Sequence, residues 1–281
     1  MRSDEFMVEN QQMSDLAFSF FSRFINSTCG IKMPASKKTM LEGRLRRRLR
    51  ALKLASFEDY LEYLSSAKGA KTEIVHILDE VTTNKTDFFR EASHFDFLMT
   101  KALPALASSH KKIRIWSAGC STGEEPYTLA MVLSEFGERN GLPFSILATD
   151  VSTKVLQKAK RAVYSHDRIE PIPPPFRRKY LLRGRGERDG LIRIKPELRS
   201  KVQFMRLNLM DPGFELSEPV QIIFCRNVMI YFDPPTQKNL VRKFCMCLPP
   251  DGYLFTGHSE MLYGFNLPLT QVAPTIYRRT Q

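Results

Sequence analysis

The chain has 281 residues and a net charge of +12, and its 43% hydrophobic and 26% charged residues are typical of a globular protein. Its five cysteines are odd in number and form no CxxC pair, so we expect neither a disulfide framework nor a structural zinc site. No apolar run approaches the roughly 20 residues that span a bilayer, and the acidic N-terminal stretch does not resemble a signal peptide. We therefore expect a soluble, cytoplasmic protein with one large domain or two of modest size.

The positive charge is concentrated in two segments of the chain. Residues 32–54 contain 9 Lys or Arg and 1 acid, and residues 158–206 contain 15 Lys or Arg and 5 acids. Together these segments carry more than the whole net charge. Localised charge of this kind favours docking onto an acidic partner, such as nucleic acid, a membrane surface or an acidic protein.

The N-terminal region, to about residue 85, predicts a small all-helical domain, because apolar residues recur at helical spacing and no strand pattern interrupts them. Ser14 suits the start of a first helix, and a second helix is predicted over residues 36–54. Ser56 and Asp59 resemble a capping box that opens a third helix, and a fourth follows it. We interpret the phenylalanines of the first helix as core of this domain: Phe18, Phe20, Phe21 and Phe24.

From Ile113 onward, short β-rich runs alternate with helical patterns, which predicts a mostly parallel sheet covered by helices on both faces. The strands are expected at residues 113–116, 144–149, 202–205, 220–225, 253–256 and 275–277. The helices are expected at residues 124–140, 152–161 and 234–248. Residues 161–200 break the alternation with a proline cluster and a glycine-rich run, and we interpret them as a small basic subdomain inserted into the sheet domain.

Polar residues follow four of the predicted strands at the point where each strand ends. A turn of small residues, 117–126, follows the first strand, Asp150 the second, Asn208 the third, and Arg226 with Asn227 the fourth. Ligands of open α/β sheets bind beyond the carboxyl ends of the strands, so we expect these residues to line one site. The alternative is that each residue only caps a helix or makes a turn, which explains one of them better than all four.

The turn of small residues matches neither GxGxxG nor GxxxxGK[ST], and Glu124 and Glu125 would repel a pyrophosphate there. An acid at the end of the second strand suits a ribose diol. These features favour a nucleoside ligand without phosphates, and S-adenosylmethionine is the common cofactor of that kind. Its carboxylate tail needs a cation, for which Arg90 is a candidate, although residues 84–90 taken alone are better explained as a polar interdomain linker.

Four sequence runs resemble those of the bacterial chemotaxis receptor methyltransferases, the CheR family. They are NKTDFFR (84–90), AGCSTGEEP (118–126), FCRNVMIYF (224–232) and GHSE (257–260). The resemblance extends over nearly the whole chain from about Leu16. It implies a helical N-terminal domain over residues 1–88 and a Rossmann-like S-adenosylmethionine-dependent methyltransferase domain over residues 89–281, with a small antiparallel β-subdomain inserted at about residues 161–200. The implied activity is methyl transfer to glutamate side chains on the cytoplasmic helices of chemoreceptors, which forms methyl esters in chemotaxis adaptation and leaves S-adenosylhomocysteine.

Carried over position by position, the resemblance implies roles for individual residues. Asp150 would hold the ribose hydroxyls, and Asn208 and Leu209 would flank the adenine. Arg90 and Tyr231 would be the catalytic residues, with Arg90 near the reacting end and Tyr231 facing the methyl group. The implied cofactor-binding residues are Asn84, Thr86, Arg90, Glu124, Asp150, Asn208, Leu209, Arg226 and Asn227.

The resemblance also implies two surfaces for the receptor. The basic second helix corresponds to the family's receptor-facing helix, and the glycine-rich loop is similar to one that grips a receptor's C-terminal tether peptide. Arg185 and Arg188 add charge inside this loop, so the sequence leaves open whether the loop binds the same peptide, a different peptide or no peptide. The residues assigned to receptor docking are Arg44, Arg46, Arg47 and Arg50 on the helix and Gly184, Gly186 and Gly190 in the loop.

The implied reaction needs no general base, because a glutamate carboxylate with a pKa of about 4.3 is already ionised at neutral pH. We accordingly interpret His258 as structural and expect no metal. We expect a monomer that neither inserts into a membrane nor binds nucleic acid, since no series of stacking aromatics accompanies the basic segments. The alternatives are an S-adenosylmethionine-dependent methyltransferase of RNA or of a small molecule, and a catalytically silent adaptor that binds a receptor.

Overall fold

A computed structural model of the chain describes residues 12–280, apart from the side chains of residues 67, 68, 70 and 71. The acidic N-terminal stretch, which does not resemble a signal peptide, lies outside these residues. The chain divides into two compact units: the first ends at Thr83 and includes Val151–Thr153, and the second comprises Asn84–Asp150 and the chain from Lys154 onward. Residues 84–88, which were predicted as part of the helical domain, therefore cluster with the second unit.

Helices form the first unit, and both predicted N-caps are confirmed. The Ser14 hydroxyl accepts a hydrogen bond from the N–H of Ala17 at 3.1 Å. At the other end of the same helix, Gly30 adopts a φ of 75° and donates its N–H to Asn26. A 3₁₀ turn over Ala35–Lys37 precedes the second helix. The helices are α1 (Asp15–Cys29), α2 (Lys38–Leu52), α3 (Phe57–Ser65) and α4 (Ala67–Val81).

The predicted core of α1 is largely wrong, because only Phe21 of its four phenylalanines is buried. Its buried face is a narrow stripe at a spacing of four residues, which a helix of 3.6 residues per turn keeps on one side: Ala17, Phe21, Ile25 and Cys29. Phe18, Phe20 and Phe24 lie on the flanks of that stripe and are half-buried. Phe20 and Phe24 stack on each other with their ring centroids 6.3 Å apart.

The capping box at the start of α3 allows a direct test of local stability. The Ser56 hydroxyl accepts the N–H of Asp59 and the Asp59 carboxylate accepts the N–H of Ser56, both at 3.0 Å. We expect Ser56→Ala to lower the free energy of unfolding by about 1 kcal/mol, because it removes the N-cap acceptor. Ser65→Ala, at the exposed end of the same helix, should be neutral in the same urea titration. Equal effects of the two substitutions would contradict the prediction.

The second unit is built on ten β-strands, numbered in chain order. They are β1 (Ile113–Ala118), β2 (Phe144–Asp150), β3 (Val163–Ser165), β4 (Leu181–Arg183), β5 (Leu191–Ile194), β6 (Val202–Arg206), β7 (Ile222–Cys225), β8 (Tyr253–Thr256), β9 (Leu269–Ala273) and β10 (Ile276–Arg279), all within the described residues 12–280. Seven of them form one sheet in the order β6-β2-β1-β7-β8-β10-β9. Neighbouring strands from β6 to β8 run parallel, and β10 is antiparallel to both β8 and β9.

Every residue of β1, β7 and β8 is buried, so both faces of the middle of the sheet are covered, as predicted. The helices of this unit, which includes α8 from its second residue, are α5 (Ser93–Phe97), α6 (Leu103–Ala107), α7 (Glu124–Asn140), α8 (Thr153–Arg161), α9 (Pro174–Tyr180), α10 (Pro196–Arg199) and α11 (Pro234–Cys247). A π-helical turn joins α5 to α6, and 3₁₀ turns lie at His166–Ile169, Gly186–Arg188 and Met229–Tyr231. Over residues 12–280, none of the helices combines the length and the apolar character that a membrane crossing requires.

The remaining strands form the predicted inserted subdomain. They make a three-stranded sheet in the order β3-β5-β4, in which β5 pairs antiparallel with both neighbours. Helix α9 begins at Pro174 and Pro175, within the proline cluster of this predicted insertion. Proline at the first positions of a helix has no N–H to leave unpaired and a φ suited to the helix, so these residues start α9 and do not interrupt it.

Candidate active site

Strands β2 and β6 lie on one side of β1, and β7 and β8 lie on the other, so the strand order reverses between β1 and β7. The predicted site residues lie at the carboxyl ends of β1, β2, β6 and β7, which we call the carboxyl edge. The turn after β1 is held close to β2, because Gly119 and Cys120 both donate their N–H to Thr149 O, at 2.8 and 2.9 Å. Gly119 has a φ of 88°, and a Cβ there would lie 2.5 Å from Val228 Cγ2. Only glycine fits this close approach.

Asp150 ends β2 and is bound to the turn that follows β1. Its Oδ2 accepts a hydrogen bond from the N–H of Ser121 at 2.9 Å. The Ser121 hydroxyl donates in turn to Asn84 O at 3.0 Å. Through Ser121 the structure thus links Asp150 and Asn84, although these two predicted site residues are 66 positions apart in the chain.

Glu124 opens α7 and is 2% exposed, and its charge is balanced by an arginine that the sequence analysis missed. Arg168 donates from Nη2 to Glu124 Oε1 at 2.9 Å, while Thr122 Oγ1 donates to Glu124 Oε2 at 2.6 Å. Arg168 also donates to Thr86 O and lies 3.3 Å from Asp87 Oδ1. It therefore links the inserted subdomain to two segments predicted to hold the cofactor. Its only signal in the sequence was its position in a basic segment.

Arg226 follows β7 and lies among protein groups, with its side chain only 2% exposed. Its Nε donates to Glu125 Oε2 at 2.8 Å, and its Nη1 donates to Arg90 O at 2.7 Å and to Glu91 Oε2 at 3.4 Å. Ser117 Oγ donates to the other oxygen of Glu125 at 2.7 Å. Arg226 thereby ties the start of α7 to the residues around Arg90.

Asn227 and Tyr231 lie on a loop that a buried carboxylate holds in place. Glu260 Oε2 accepts the N–H groups of Asn227 and Gly257 at 2.8 and 2.7 Å, and its Oε1 accepts the N–H of Ile230 at 3.1 Å. Burial raises the pKa of Glu260, and these backbone hydrogen bonds act in the opposite direction. A Cβ on Gly257 would lie 2.7 Å from Asn227 Nδ2, so the GHSE segment must have glycine there. Tyr231 is half-buried at the end of its 3₁₀ turn.

Asn208 and Leu209 follow β6 at the same carboxyl edge, in a turn that is fixed from within. Asn208 Oδ1 accepts the N–H of Met210 at 3.0 Å. The buried Lys243 donates from Nζ to Leu209 O and Asp211 O, each at 2.6 Å. Leu209 is largely buried, with 8% of the residue exposed.

Glu91, His94 and His258 bring three potential metal ligands within 4.8 Å of one another. Arg226 already supplies positive charge there, with Nη1 3.2 Å from His94 Nδ1 and 3.4 Å from Glu91 Oε2. Burial, together with Arg226, lowers the pKa of His94 to about 4, so His94 is neutral near pH 7. A metal ion in this cluster would have to displace the guanidinium or share its place with it. The His258 side chain is 53% exposed at the edge of the cluster.

The arginines predicted for receptor docking differ in their surroundings on α2. Arg44 donates to Val81 O and Thr82 O and so holds the C-terminus of α4. Arg46 lies 3.8 Å from Glu42, and Arg47 lies 3.2 Å from Glu80. Arg47 keeps 59% of its side chain exposed, and Arg50 is also exposed.

The glycine-rich loop joins β4 to β5 at the end of the inserted hairpin. Gly184 donates its N–H to Leu191 O at 2.8 Å and closes the hairpin. A Cβ on Gly184 would lie 1.9 Å from Arg188 O, whereas Gly186 and Gly190 have open space and φ values of 62° and 77°. The loop therefore requires glycine for its shape and presents exposed backbone at its tip.

A mostly parallel sheet that reverses between β1 and β7, with an acid at the end of β2, is typical of Rossmann-like domains that bind a ribose-containing cofactor, the class to which S-adenosylmethionine-dependent methyltransferases belong. Residues 84–277 match the family described as "CheR methyltransferase, SAM binding domain", and residues 16–82 match "CheR methyltransferase, all-alpha domain". The chain belongs to the CheR methyltransferase family.

Bacterial relatives match almost the whole chain. It is 42% identical over 264 residues to the chemotaxis protein methyltransferase of Borreliella burgdorferi, covering 92% of each sequence. It is 39% identical over 272 residues to the chemotaxis protein methyltransferase of Escherichia coli (strain K12), covering 96% of this chain and 93% of that protein. The expected fold class and the expected S-adenosylmethionine-dependent methyltransferase activity are confirmed.

Proposed function

We propose that this protein transfers a methyl group from S-adenosylmethionine to glutamate side chains on the cytoplasmic helices of chemoreceptors and forms methyl esters in chemotaxis adaptation. One observation carries the proposal: in this chain of the CheR family, the polar residues that follow β1, β2, β6 and β7 all lie at the carboxyl edge. The 42% and 39% identical relatives are both named chemotaxis protein methyltransferases, which supports a protein of the chemotaxis system as the substrate.

The residues at the carboxyl edge fit the chemical groups of S-adenosylmethionine. A buried carboxylate, Asp150, suits the ribose diol, and the apolar side chain of Leu209 beside Asn208 suits the adenine. Arg90 suits the carboxylate of the amino-acid tail. Glu124, whose oxygens already accept from Arg168 and Thr122, would have to accept the ammonium with its remaining lone pairs. Because Gly119 has no side chain, a ligand can approach the backbone of the turn after β1, and this turn contains no phosphate-binding motif. When bound, this cofactor supplies a methyl group on a positively charged sulfur.

The residues of this chain would act by alignment and by excluding water, without proton transfer. The acceptor carboxylate is ionised at neutral pH, because the ordinary pKa of glutamate is about 4.3. Opposite charges meet as the carboxylate approaches the sulfonium, and water stabilises the separated charges more than the transition state. A dry pocket that holds oxygen, carbon and sulfur nearly in line therefore speeds the reaction. We assign this alignment to Arg90 and Tyr231, with Asn84, Thr86, Arg226 and Asn227 completing the cofactor site.

We further propose that α2 faces the receptor and that the β4–β5 loop can hold a receptor's tether peptide. The exposed Arg47 and Arg50 support the first assignment, together with Arg46, since several like charges on one helix steer an acidic partner over about 10 Å at 0.1 M salt. Arg44 belongs to the same helix, and its hydrogen bonds to α4 position the others. A short tether would raise the local receptor concentration to the mM range. We place the protein in the cytoplasm as a monomer.

The proposal is tested with tritiated S-adenosylmethionine and membranes prepared with and without chemoreceptors. We expect label on the receptor bands only, released as volatile methanol by mild alkali, because carboxyl methyl esters hydrolyse readily in base. Label on RNA, or label of equal strength on membranes without receptors, would contradict the proposal. A matched reaction with a receptor whose modified glutamates are changed to alanine should give no label.

A further inference from the structure

Glu91 directly follows Arg90, has no place in the methyl-transfer chemistry proposed for this site, and connects three separate segments at the carboxyl edge. Its Oε1 accepts a hydrogen bond from Asn227 Nδ2 at 3.2 Å and another from the N–H of His258 at 3.3 Å. Its Oε2 lies 3.4 Å from Arg226 Nη1. The side chain is 11% exposed, so these contacts form largely out of water.

The backbone around Glu91 adopts a conformation that its contacts must maintain. Phe89 and Glu91 have φ values of 52° and 57°, a region that few residues other than glycine adopt, because the Cβ crowds the backbone there. Such conformations persist where the surroundings determine them. In this turn the N–H of Phe89 donates to Thr128 Oγ1 at 3.2 Å and Arg90 O accepts from Arg226 at 2.7 Å. The turn therefore delivers the carboxylate of Glu91 to Asn227 in a defined direction.

Glu91 is ionised in this setting. Burial raises its pKa, but the positive charge of Arg226 and the hydrogen bonds from the His258 N–H and Asn227 outweigh burial, so its pKa lies below the ordinary value. An ionised carboxylate only accepts hydrogen bonds. Of the two orientations of the Asn227 amide, the carboxylate selects the one with Nδ2 toward Glu91 and Oδ1 directed away from it.

We propose that Glu91 is a positioning residue for methyl transfer, which fixes the Asn227 amide so that its carbonyl oxygen is the atom offered to the cofactor. The inference rests on the proposed function, in which Asn227 contacts S-adenosylmethionine. An acceptor at this point suits a donor group of the cofactor, either its ammonium or a ribose hydroxyl. The flipped amide would offer N–H groups to the same donors and would repel them.

The isosteric variant Glu91→Gln tests the proposal, because it removes the charge and allows an N–H₂ group to face Asn227. We expect the dissociation constant of S-adenosylhomocysteine, measured by calorimetry, to rise about tenfold, which corresponds to about 1.4 kcal/mol. The KM for S-adenosylmethionine should rise in parallel while kcat stays close to that of the wild type. Glu215→Gln, at an exposed glutamate of the same unit, is the matched control and should change neither value.

A double-mutant cycle separates positioning from a general structural effect. If Glu91 acts through Asn227, the Glu91→Gln substitution weakens binding in the wild type but adds little in the Asn227→Ala background. Equal losses in both backgrounds, or unchanged affinity in a folded Glu91→Gln protein, would overturn the proposal. Should Glu91→Gln fail to fold, Glu91→Asp is measured in its place. It keeps the charge but draws the acceptor back from Asn227 Nδ2, and we expect it to weaken S-adenosylhomocysteine binding in the wild type but not in the Asn227→Ala background; unchanged affinity, or an equal loss in both backgrounds, would overturn the proposal.

The same calorimetry distinguishes the two levels of inference. Wild-type protein that binds neither S-adenosylmethionine nor S-adenosylhomocysteine would contradict the proposed function itself. Wild-type binding and methyl transfer, combined with a Glu91→Gln protein that behaves like Glu215→Gln, would contradict only the role assigned to Glu91.

Discussion

Arg226→Ala is expected to lower the free energy of unfolding by about 3–5 kcal/mol, the usual cost of removing one partner from a buried ion pair. The substitution leaves Glu125, whose side chain is 10% exposed, without its 2.8 Å partner, and it removes the positive charge 3.4 Å from Glu91. It also leaves Arg90 O without the hydrogen bond from Nη1. Urea or thermal unfolding measures the loss, and methyl transfer should fall with it.

The control for this substitution is Arg139→Ala. Arg139 lies 3.9 Å from Glu135 with 74% of its side chain exposed, and an exposed pair of this kind contributes about 0–1 kcal/mol. Arg226→Ala with a stability close to that of Arg139→Ala would show that the buried network around Arg226 is not what stabilises this part of the unit.

Asp150→Ala is expected to raise the dissociation constant of S-adenosylhomocysteine by at least about 100-fold. Hydrogen bonds to a charged group are worth about 1.5–3 kcal/mol each, and the ribose diol would lose two of them. The Ser121 N–H would also lose its acceptor at 2.9 Å, so the turn after β1 would loosen. Calorimetry on the folded variant measures the change.

Two further variants make the Asp150 result specific. Asp251→Ala, just before the start of β8 and therefore at the opposite end of the sheet from the carboxyl edge, should bind S-adenosylhomocysteine as the wild type does. Asp150→Asn keeps an acceptor for Ser121 but removes the charge, and it should lie between the wild type and Asp150→Ala. Unchanged affinity in Asp150→Ala would remove the ribose assignment.

The strand ends could be predicted from the sequence because they depend on local pattern. Each of the first four strands of the predicted sheet was placed within two residues of its observed end, so Asp150 and Arg226 fell at the carboxyl edge. Helix α7 was predicted with its observed bounds, Glu124–Asn140. A polar residue that directly follows a buried strand lies at the end of that strand whatever surrounds it. In a parallel sheet, the direction of the strands determines that these ends share one edge.

Contacts between distant segments could not be predicted in this way. Arg168 and Glu124 pair across 44 positions, and Arg226 and Glu125 across 101, and no periodicity relates such partners. Helices α5 and α6 were missed altogether, since they are five residues each and a π turn separates them. The phenylalanines of α1 show the same limit: their spacing predicts a helix, but only the packing partners decide which of them are buried.

The most direct measurement identifies the atom that receives the methyl group. A purified chemoreceptor cytoplasmic fragment is incubated with the protein and S-adenosylmethionine, and the digested fragment is examined by mass spectrometry before and after mild alkali. We predict methyl groups on glutamate side chains only, lost on alkaline treatment as carboxyl esters are. Methylation that survives alkali, or that lies on residues other than glutamate, would contradict transfer to an ionised carboxylate.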